Sequence, residues 1–236
     1  MSRRKVRRGT PGAGARQAGA RATSLRVKCR ARRTYRFSPR ETALIVIDMQ
    51  RDFLPETDGE AVGVAAIVPR VARLADLARK LGCQVIHTRE GYSPDLSDVS
   101  AFRRSLGYVG RPGPNGPCLI RGEVGHDFVD ALQPMDGETV IDKAGFSAFH
   151  GTDLHDRLSA SGIDRLILCG VTTQCCVHST LRSAVDLGYW CLTVADCCAA
   201  ESAELHEAAL ALIDGEGHLF GWVCDLADIE RAAGAQ

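Results

Sequence analysis

Residues 166–177 read LILCGVTTQCCV and contain the transition that decides the fold. The run 166–169 has the length and composition of a buried strand, and Gly170 predicts a sharp turn after it. Apolar residues then recur at helical spacing from Val177 onward, and Gly188 is placed to end that helix. The helix therefore begins just past the carboxyl end of a strand, where open α/β sheets bind their ligands.

Cys176 lies in the first turn of this predicted helix. Unpaired backbone N–H groups and the positive end of a helix lower the pKa of a thiol, so the position favours a reactive cysteine. Position alone leaves the alternative of an inert, buried packing residue. Cys175 competes for the same role, but neighbours on a helix point about 100° apart, so only one of them can face the crevice. We expect Cys175 to pack inward.

Two other strand-like runs end in ionisable residues. Asp48 follows the apolar run 43–47, and Lys143 follows the run 139–142. In a parallel sheet these two residues and Cys176 would lie along one edge. The carboxylate can accept the thiol proton, and the amine keeps the carboxylate ionised. Taken singly, each has an ordinary alternative, since Asp is common in turns and Lys at surfaces.

Strands and helices alternate along the rest of the chain. The remaining predictions are helices at 67–81, 152–161 and 205–212, and strands at 84–87, 190–194 and 218–223. This alternation predicts a three-layer αβα fold of the α/β class, with a doubly wound, mostly parallel six-stranded sheet. Residues 89–135 contain many Pro and Gly with little periodicity, which predicts a long loop around the pocket or against a neighbouring subunit.

Three motifs, taken in order along the chain, resemble those of the isochorismatase-like cysteine hydrolases. They are 48–53 (DMQRDF), 143–149 (KAGFSAF) with 152–154 (TDL), and 170–177 (GVTTQCCV). The resemblance runs from about residue 42 to residue 223. It implies an isochorismatase-like, Rossmann-like fold and the activity of an amidase.

The family spacing selects Cys176 over Cys175 as the nucleophile. The resemblance implies that Asp48 takes the thiol proton, while Lys143 orients and stabilises the ionised pair. It further implies a cis peptide bond before Thr172, and an oxyanion hole made by the backbone N–H groups of Thr172 and Cys176. Preorganised donors of this kind supply a large share of the rate enhancement in acyl transfer.

Within the family, residues 87–91 (HTREG), 94–98 (PDLSD), 121–123 (RGE) and 220–223 (FGWV) look most like biuret and related ureide amidohydrolases. The expected reaction is hydrolysis of a C–N bond in a small ureide or amide through a thioester. Ureidoacrylate and N-carbamoylsarcosine are alternative substrates. A non-catalytic scaffold or binder with the same fold is an alternative of another class, against which the intact acid, base and thiol weigh.

The resemblance also implies which residues form the pocket walls. They are Phe53, Tyr92, Phe149, Gln174 and Glu216. Glu216 precedes Gly217, at a place where biuret-type relatives carry Gln. A carboxylate accepts hydrogen bonds where an amide can also donate, so this exchange favours a substrate richer in N–H groups or disfavours one that ends in a carboxylate, and it argues against biuret itself. The alternative for Glu216 is a solvated turn residue.

Metal-binding relatives such as nicotinamidases carry an Asp and two His after the second strand. The segment 87–95 has a single His, so we predict no metal and no cofactor, although His87 can line the pocket. The ten cysteines show no zinc spacing and several lie in apolar runs, which favours reduced thiols in an intracellular enzyme. Family resemblance suggests a homo-oligomer, a dimer or a tetramer.

The formal net charge of zero conceals an uneven distribution. The first 40 residues hold 14 Lys and Arg and no acidic residue, leaving 15 basic against 29 acidic residues, a net charge of −14. We expect residues 1–34 to be a disordered basic extension and residues 35–236 to form the hydrolase domain. Two interpretations of the extension rank equally: a transit peptide, since residues 27–31 resemble the processing site of plastid precursors, and a translated upstream region that follows from a misassigned start codon. A basic arm that binds nucleic acid or anionic surfaces ranks third.

These alternatives bear on location and partners. The enzyme is expected in the cytoplasm, or in a plastid where residues 1–34 serve as a transit peptide. The basic segment lacks the interleaved aromatic residues that stack on bases, so nucleic acid is not the expected partner. No apolar run approaches the roughly 18 residues of a membrane helix.

Overall fold

A computed structural model describes residues 24–54 and 64–234. The strands are β1 Leu25–Cys29, β2 Arg33–Phe37, β3 Thr42–Ile47, β4 Gln84–Glu90, β5 Pro112–Gly113, β6 Gly116–Pro117, β7 Thr139–Lys143, β8 Arg165–Val171, β9 Trp190–Ala199 and β10 Trp222–Cys224. The α-helices are α1 Val68–Leu81, α2 Ala101–Leu106, α3 Leu154–Ala160, α4 His178–Asp186, α5 Ala203–Asp214 and α6 Leu226–Gly234.

Six of the strands form one parallel sheet in the order β10-β9-β8-β3-β4-β7. The chain builds outward from β3 through β4 to β7, and then returns to the other side of β3 with β8. The direction of winding therefore reverses between β3 and β8, and such a reversal opens a crevice at the carboxyl ends of the two strands. The predicted α/β fold with a six-stranded parallel sheet is confirmed.

Two layers of helices cover the sheet. Helices α1 and α6 contact each other on one face, while α4 and α5 pack behind β9 on the other. Strand β3 is buried at all six positions, as expected for a central strand covered on both faces. Among the described residues, no helix is long and apolar enough to cross a bilayer.

Gly170 lies inside β8 and does not end it, contrary to the predicted sharp turn. The strand continues to Val171, with an irregularity in its pairing to β9 between Leu168 and Gly170. Gly170 has φ +112°, and a Cβ atom there would lie 2.1 Å from the carbonyl oxygen of Ile47. Only glycine permits this approach, which keeps the end of β8 against the end of β3.

The predicted boundary between extension and domain is wrong, because residues 25–34 are folded. Strands β1 and β2 pair as an antiparallel hairpin, and α6 packs against β1. The hairpin alternates buried apolar residues with exposed basic ones, so its basic composition hides a strand pattern of period two. Its buried side chains are Leu25, Val27, Tyr35 and Phe37.

The resemblance of 27–31 to a processing site therefore falls within the folded hairpin. The rest of the predicted extension, residues 1–23, lies outside the described residues. The expected long loop at 89–135 contains one short helix, α2, and the two-residue strands β5 and β6, with little other regular structure.

Candidate active site

Four ionisable side chains meet at the carboxyl edge of the sheet. Asp48 follows β3, Glu90 and Lys143 end β4 and β7, and Cys176 follows β8 by five residues. All four are buried, with at most 5% of each residue exposed. The structure therefore brings together Asp48, Lys143 and Cys176, as the strand ends predict, and adds a carboxylate.

Asp48 and Lys143 form a fully buried ion pair. Lys143 Nζ lies 2.7 Å from Asp48 Oδ2 and donates a hydrogen bond to the carbonyl of Gly145 at 2.7 Å. Asp48 Oδ1 accepts a hydrogen bond from the hydroxyl of Thr88 at 2.7 Å. Burial alone would lower the pKa of Lys143, but the negative charges of Asp48 and Glu90 raise it. The ammonium is therefore permanently charged at neutral pH.

Cys176 is a protonated thiol in this environment. The adjacent Cys175 thiol, burial and the Asp48 carboxylate raise the pKa of Cys176 well above its usual value, and Lys143 only partly opposes them. The expectation that the helix start lowers this pKa is therefore wrong for the free protein. Reaction at Cys176 requires a nearby proton acceptor. Cys175 is the more exposed of the two cysteines, contrary to the prediction that it packs inward.

Glu90 is the site residue that the sequence analysis missed. Its Oε2 accepts a hydrogen bond from the Cys176 thiol, with an S···O distance of 3.6 Å. Its Oε1 accepts hydrogen bonds from Arg103 at 3.0 Å and from the hydroxyl of Tyr92 at 2.9 Å. Burial raises the pKa of Glu90, although Lys143 opposes that effect. The signal was present, because Glu90 is the last residue of β4, whereas the predicted strand stopped at residue 87.

The segment before Cys176 carries the predicted cis peptide bond, between Val171 and Thr172. The helix then begins with one turn of π-helix, Thr173–Val177, in which the N–H of Val177 donates to the carbonyl of Thr172 at 3.2 Å. This turn brings the Cys176 side chain back over the end of the sheet, toward Glu90.

Three potential metal ligands, one atom each from Asp48, Glu90 and Cys176, lie within 4.8 Å of one another. The ammonium of Lys143 already lies 2.7 Å from Asp48 and 3.9 Å from Glu90. It supplies the positive charge that a metal ion would bring and occupies the space between the two carboxylates. This set of donors therefore fits an internal ammonium better than a metal.

Three of the predicted wall residues lie near the site. Tyr92 is fully buried and bonds to Glu90, so it supports that carboxylate. Phe53 is half-buried between the main core and the small apolar cluster around Tyr92. Gln174 lies in the π-turn, and its buried Oε1 has no hydrogen-bond partner among the described residues.

Phe149 and Glu216 are not part of this site, which corrects two predictions. The ring of Phe149 stacks on Tyr189, with centroids 5.7 Å apart, beyond the far end of α4. Glu216 is exposed in the loop between α5 and β10, which returns to the amino edge of the sheet. A residue that precedes a parallel strand lies at the edge opposite to a residue that follows one, so Glu216 was assigned to the wrong edge.

His87 has a structural role and does not line the pocket. Its Nε2 lies 2.8 Å from Glu138 Oε2, its ring packs edge-on against Phe128, and the residue is fully buried. It lies three residues before Glu90 in β4, on the side of the amino edge.

A buried thiol beside a carboxylate–ammonium pair, at the switch point of a parallel sheet, is the arrangement of an α/β cysteine hydrolase. Residues 42–228 match the Isochorismatase domain, and the chain belongs to that family. The family suggested by the three sequence motifs is thereby confirmed.

Named relatives place the chain within the family. It is 40% identical over 172 residues to a protein of Arabidopsis thaliana named probable inactive nicotinamidase, covering 72% of this chain and 86% of the relative. It is 32% identical over 211 residues to ureidoacrylate amidohydrolase RutB of Methylobacterium radiotolerans, covering 83% of this chain and 81% of the relative.

A solved structure gives the same family. The cysteine hydrolase from Pseudomonas syringae pv. phaseolicola matches with a TM-score of 0.73 and 28% identity, covering 84% of this chain and 95% of that chain. The names of the first two relatives refer to different substrates, nicotinamide and ureidoacrylate, and the name of the third refers to none.

Proposed function

We propose that this protein is a cysteine-dependent amidohydrolase that cleaves a C–N bond of a small ureide or amide through a thioester. Cys176 is the nucleophile, with Asp48 and Lys143 as its partners. The observation that carries the proposal is the buried Asp48–Lys143 ion pair beside the Cys176 thiol, at the carboxyl edge of the sheet. A thiol attacks the carbonyl, an amine or ammonia leaves, and water releases the acid.

The proposed site has groups for charge compensation, proton transfer, oxyanion stabilisation and substrate binding. Lys143 offsets the negative charge that appears when the thiol loses its proton. A carboxylate accepts that proton, a role that the sequence assigns to Asp48. The backbone N–H groups of Thr172 and Cys176 are the proposed donors to the oxyanion. Gln174 has a buried amide oxygen that can accept an N–H of the substrate.

The substrate class rests on the relatives and on the chemistry of the site. A ureidoacrylate amidohydrolase is among the named relatives, and its name supports a ureide substrate for this chain. Biuret and N-carbamoylsarcosine carry the same N–C(=O)–N unit and remain in the proposal. Because Glu216 lies at the other edge of the sheet, the identity of this residue gives no evidence for or against biuret as the substrate.

A non-catalytic scaffold is the second candidate, because one relative has the word inactive in its name. The presence of Asp48, Lys143 and Cys176 together favours the enzyme over the scaffold. The homo-oligomeric state, the absence of a cofactor, and the cytoplasmic or plastid location stay predictions.

The test is ammonia release from a panel of biuret, triuret, ureidoacrylate, N-carbamoylsarcosine and nicotinamide. We expect turnover of at least one ureide, lowered by at least about 10³-fold in Cys176→Ser because the nucleophile is lost. Cys175→Ser is the matched control, and it should retain turnover since its thiol is not the one that contacts Glu90.

The alternative outcomes separate the candidates. If Cys175→Ser loses turnover while Cys176→Ser retains it, the nucleophile is Cys175 and the assignment to Cys176 is wrong. Absence of turnover with every substrate, in a folded wild-type protein, would favour the scaffold.

A further inference from the structure

The end of β4 lies between the two partners of the nucleophile. In the sheet order β3-β4-β7, Glu90 stands between Asp48 and Lys143, and the strand register pairs it directly with Lys143. The side chain of Gln50 fixes this strand end, since its amide donates to the Glu90 carbonyl at 2.9 Å and accepts from the Glu90 N–H at 2.7 Å. The Glu90 carboxylate is therefore held by regular β-structure.

The hydrogen bond of the thiol goes to Glu90. Among the described residues, Glu90 Oε2 is the acceptor to which Cys176 Sγ donates, at 3.6 Å. Asp48 Oδ1 accepts a hydrogen bond from the Thr88 hydroxyl at 2.7 Å, and Oδ2 forms the ion pair with Lys143 Nζ at 2.7 Å. A donor and an acceptor that already share a hydrogen bond have the geometry that proton transfer requires.

The other oxygen of Glu90 is fully engaged. Arg103 and Tyr92 both donate to Oε1, and the Arg103 guanidinium lies over the ring of Phe146, 3.5 Å from its centroid. These contacts fix the carboxylate so that Oε2 faces the thiol. Two cations, Lys143 and Arg103, balance the two carboxylates of the site.

We propose that Glu90 is a second catalytic carboxylate, which accepts the thiol proton during attack and delivers it to the leaving nitrogen. This inference rests on the proposed function and revises its first step. Asp48 then keeps Lys143 charged and in place, and activates the water of the second step. Acid and base duties are thereby divided between two carboxylates.

The steps balance in both halves of the reaction. The thiol proton moves to Glu90 Oε2 while the sulfur electron pair forms the C–S bond and the carbonyl π pair moves to oxygen. When the carbonyl reforms, the C–N bond breaks with its pair on nitrogen, and the proton on Oε2 moves to that nitrogen. Water then attacks the thioester carbon, its proton passes to Asp48, and the C–S bond breaks as that proton returns to Cys176.

Charge and burial agree with this division. Burial raises the pKa of Glu90, which makes its carboxylate a stronger proton acceptor. The Cys176 thiol is itself protonated, so its proton must be accepted by a neighbouring group before or during attack.

The test compares Glu90→Gln with wild type on two substrates that share one acyl group. One is the ureide that the panel identifies, and the other is the 4-nitrophenyl ester of the same acyl group, whose leaving group needs no proton. General acid–base catalysis contributes about 10²- to 10⁴-fold, so we expect kcat/KM for the amide to fall by that factor. The loss on the ester should be at least tenfold smaller, and Glu90→Asp should restore part of the amide activity.

A second measurement does not depend on turnover. In a Cys175→Ser background, which removes the adjacent thiol, the rate of Cys176 alkylation by iodoacetamide is followed against pH by the fragment-ion masses of its peptide. The charge of Glu90 raises the thiol pKa, so Glu90→Gln should move the alkylation midpoint to lower pH. Glu138→Gln is the matched control, because it neutralises a similarly enclosed Glu that contacts Arg79 and His87. That control should leave the midpoint unchanged.

Equal losses on the amide and the ester would overturn the proposal that Glu90 delivers a proton to the leaving nitrogen, and would leave the proposed function standing. An unchanged alkylation midpoint in Glu90→Gln would overturn the role of Glu90 as acceptor of the thiol proton, and would also leave the proposed function standing. No Cys176-dependent turnover of either substrate by the wild type would overturn the proposed function itself, and the catalytic role of Glu90 with it.

Discussion

Two ionic clusters lie toward opposite ends of β4 and β7, one buried and the other half-buried. The active-site cluster contains Asp48, Glu90, Lys143 and Cys176, and the amino-end cluster contains Arg79, His87 and Glu138. In the amino-end cluster the pairing is complete, because Arg79 binds both oxygens of Glu138, at 2.7 and 3.0 Å. In the active-site cluster two carboxylates and a thiol crowd around one ammonium, with Arg103 on the far side of Glu90.

The two arrangements move the pKa values of Glu138 and Glu90 in opposite directions. Burial opposes ionisation of Glu138, but hydrogen bonds from Arg79, the Met135 N–H and His87 lower its pKa to about 2. Burial prevails at Glu90, whose pKa is raised. Complete pairing therefore favours the ionised form of a carboxyl group, whereas burial among like charges favours its protonated form. The first arrangement stabilises the fold and the second suits catalysis.

Lys143→Met gives the largest expected effect, because it removes the only cation that contacts both carboxylates of the active-site cluster in the described structure. Breaking a buried ion pair from one side costs about 3 to 5 kcal/mol, so the free energy of unfolding should fall by that amount, and turnover should be lost. Urea unfolding and ammonia release measure the two effects.

The double variant Asp48→Asn/Lys143→Met is the control for this change. Removing both partners leaves less uncompensated charge, so it should recover part of the stability without recovering turnover. Turnover within tenfold of wild type in Lys143→Met would show that the ion pair is structural, like the amino-end cluster.

Glu138→Gln should have an intermediate effect, on stability alone. Loss of the charged hydrogen bonds to Arg79 should lower the free energy of unfolding by about 1 to 2 kcal/mol at pH 7, with kcat/KM unchanged. The pKa of Glu138 falls from an ordinary 4.5 to about 2 on folding, so its contribution is complete above pH 4.5 and disappears as the pH falls toward 2.

Unfolding measured from pH 7 to pH 2 tests this sign. The wild-type and Glu138→Gln stabilities should converge as the pH falls. A constant difference across that range would mean that the ionised carboxylate is not what stabilises the cluster.

Glu216→Gln should have the smallest effect. The residue is exposed at the amino edge, so kcat/KM should stay within about twofold and the free energy of unfolding within about 0.5 kcal/mol. Steady-state kinetics on the identified ureide measure the first quantity. A tenfold change in KM would show that Glu216 contributes to the substrate site, and would contradict the assignment of catalysis to the carboxyl edge alone.

Local patterns accounted for the residues that lie at strand ends. Asp48 and Lys143 follow apolar runs, and parallel strands bring their carboxyl ends to one edge, so their meeting was predictable. Glu90 obeys the same rule and was missed because the predicted β4 was three residues short. The basic hairpin was missed for a different reason, since net charge was weighed and the alternation of Leu25 and Val27 with basic residues was not.

Contacts made by loops and helix ends were not predictable in this way. Arg103 reaches Glu90 from a short helix 13 residues later, and no local pattern marks that pairing. Phe149 ends the motif that begins at Lys143, yet its ring packs at the other end of α4. Loop geometry depends on what the loop packs against, so the spacing of a motif does not fix where each of its side chains points.

The sequence by itself determined the α/β class, the six parallel strands and the family, because periodicity and strand-end residues are local properties of the chain. It also determined which acid, amine and thiol share one edge. Only the tertiary structure decided which carboxylate faces the Cys176 thiol and whether that thiol is protonated. Those properties depend on burial and on charges brought together from β3, β4, β7 and the turn after β8. The electrostatic effect of each charge depends on its distance from the others, and these distances are set by how separate segments of the chain pack together.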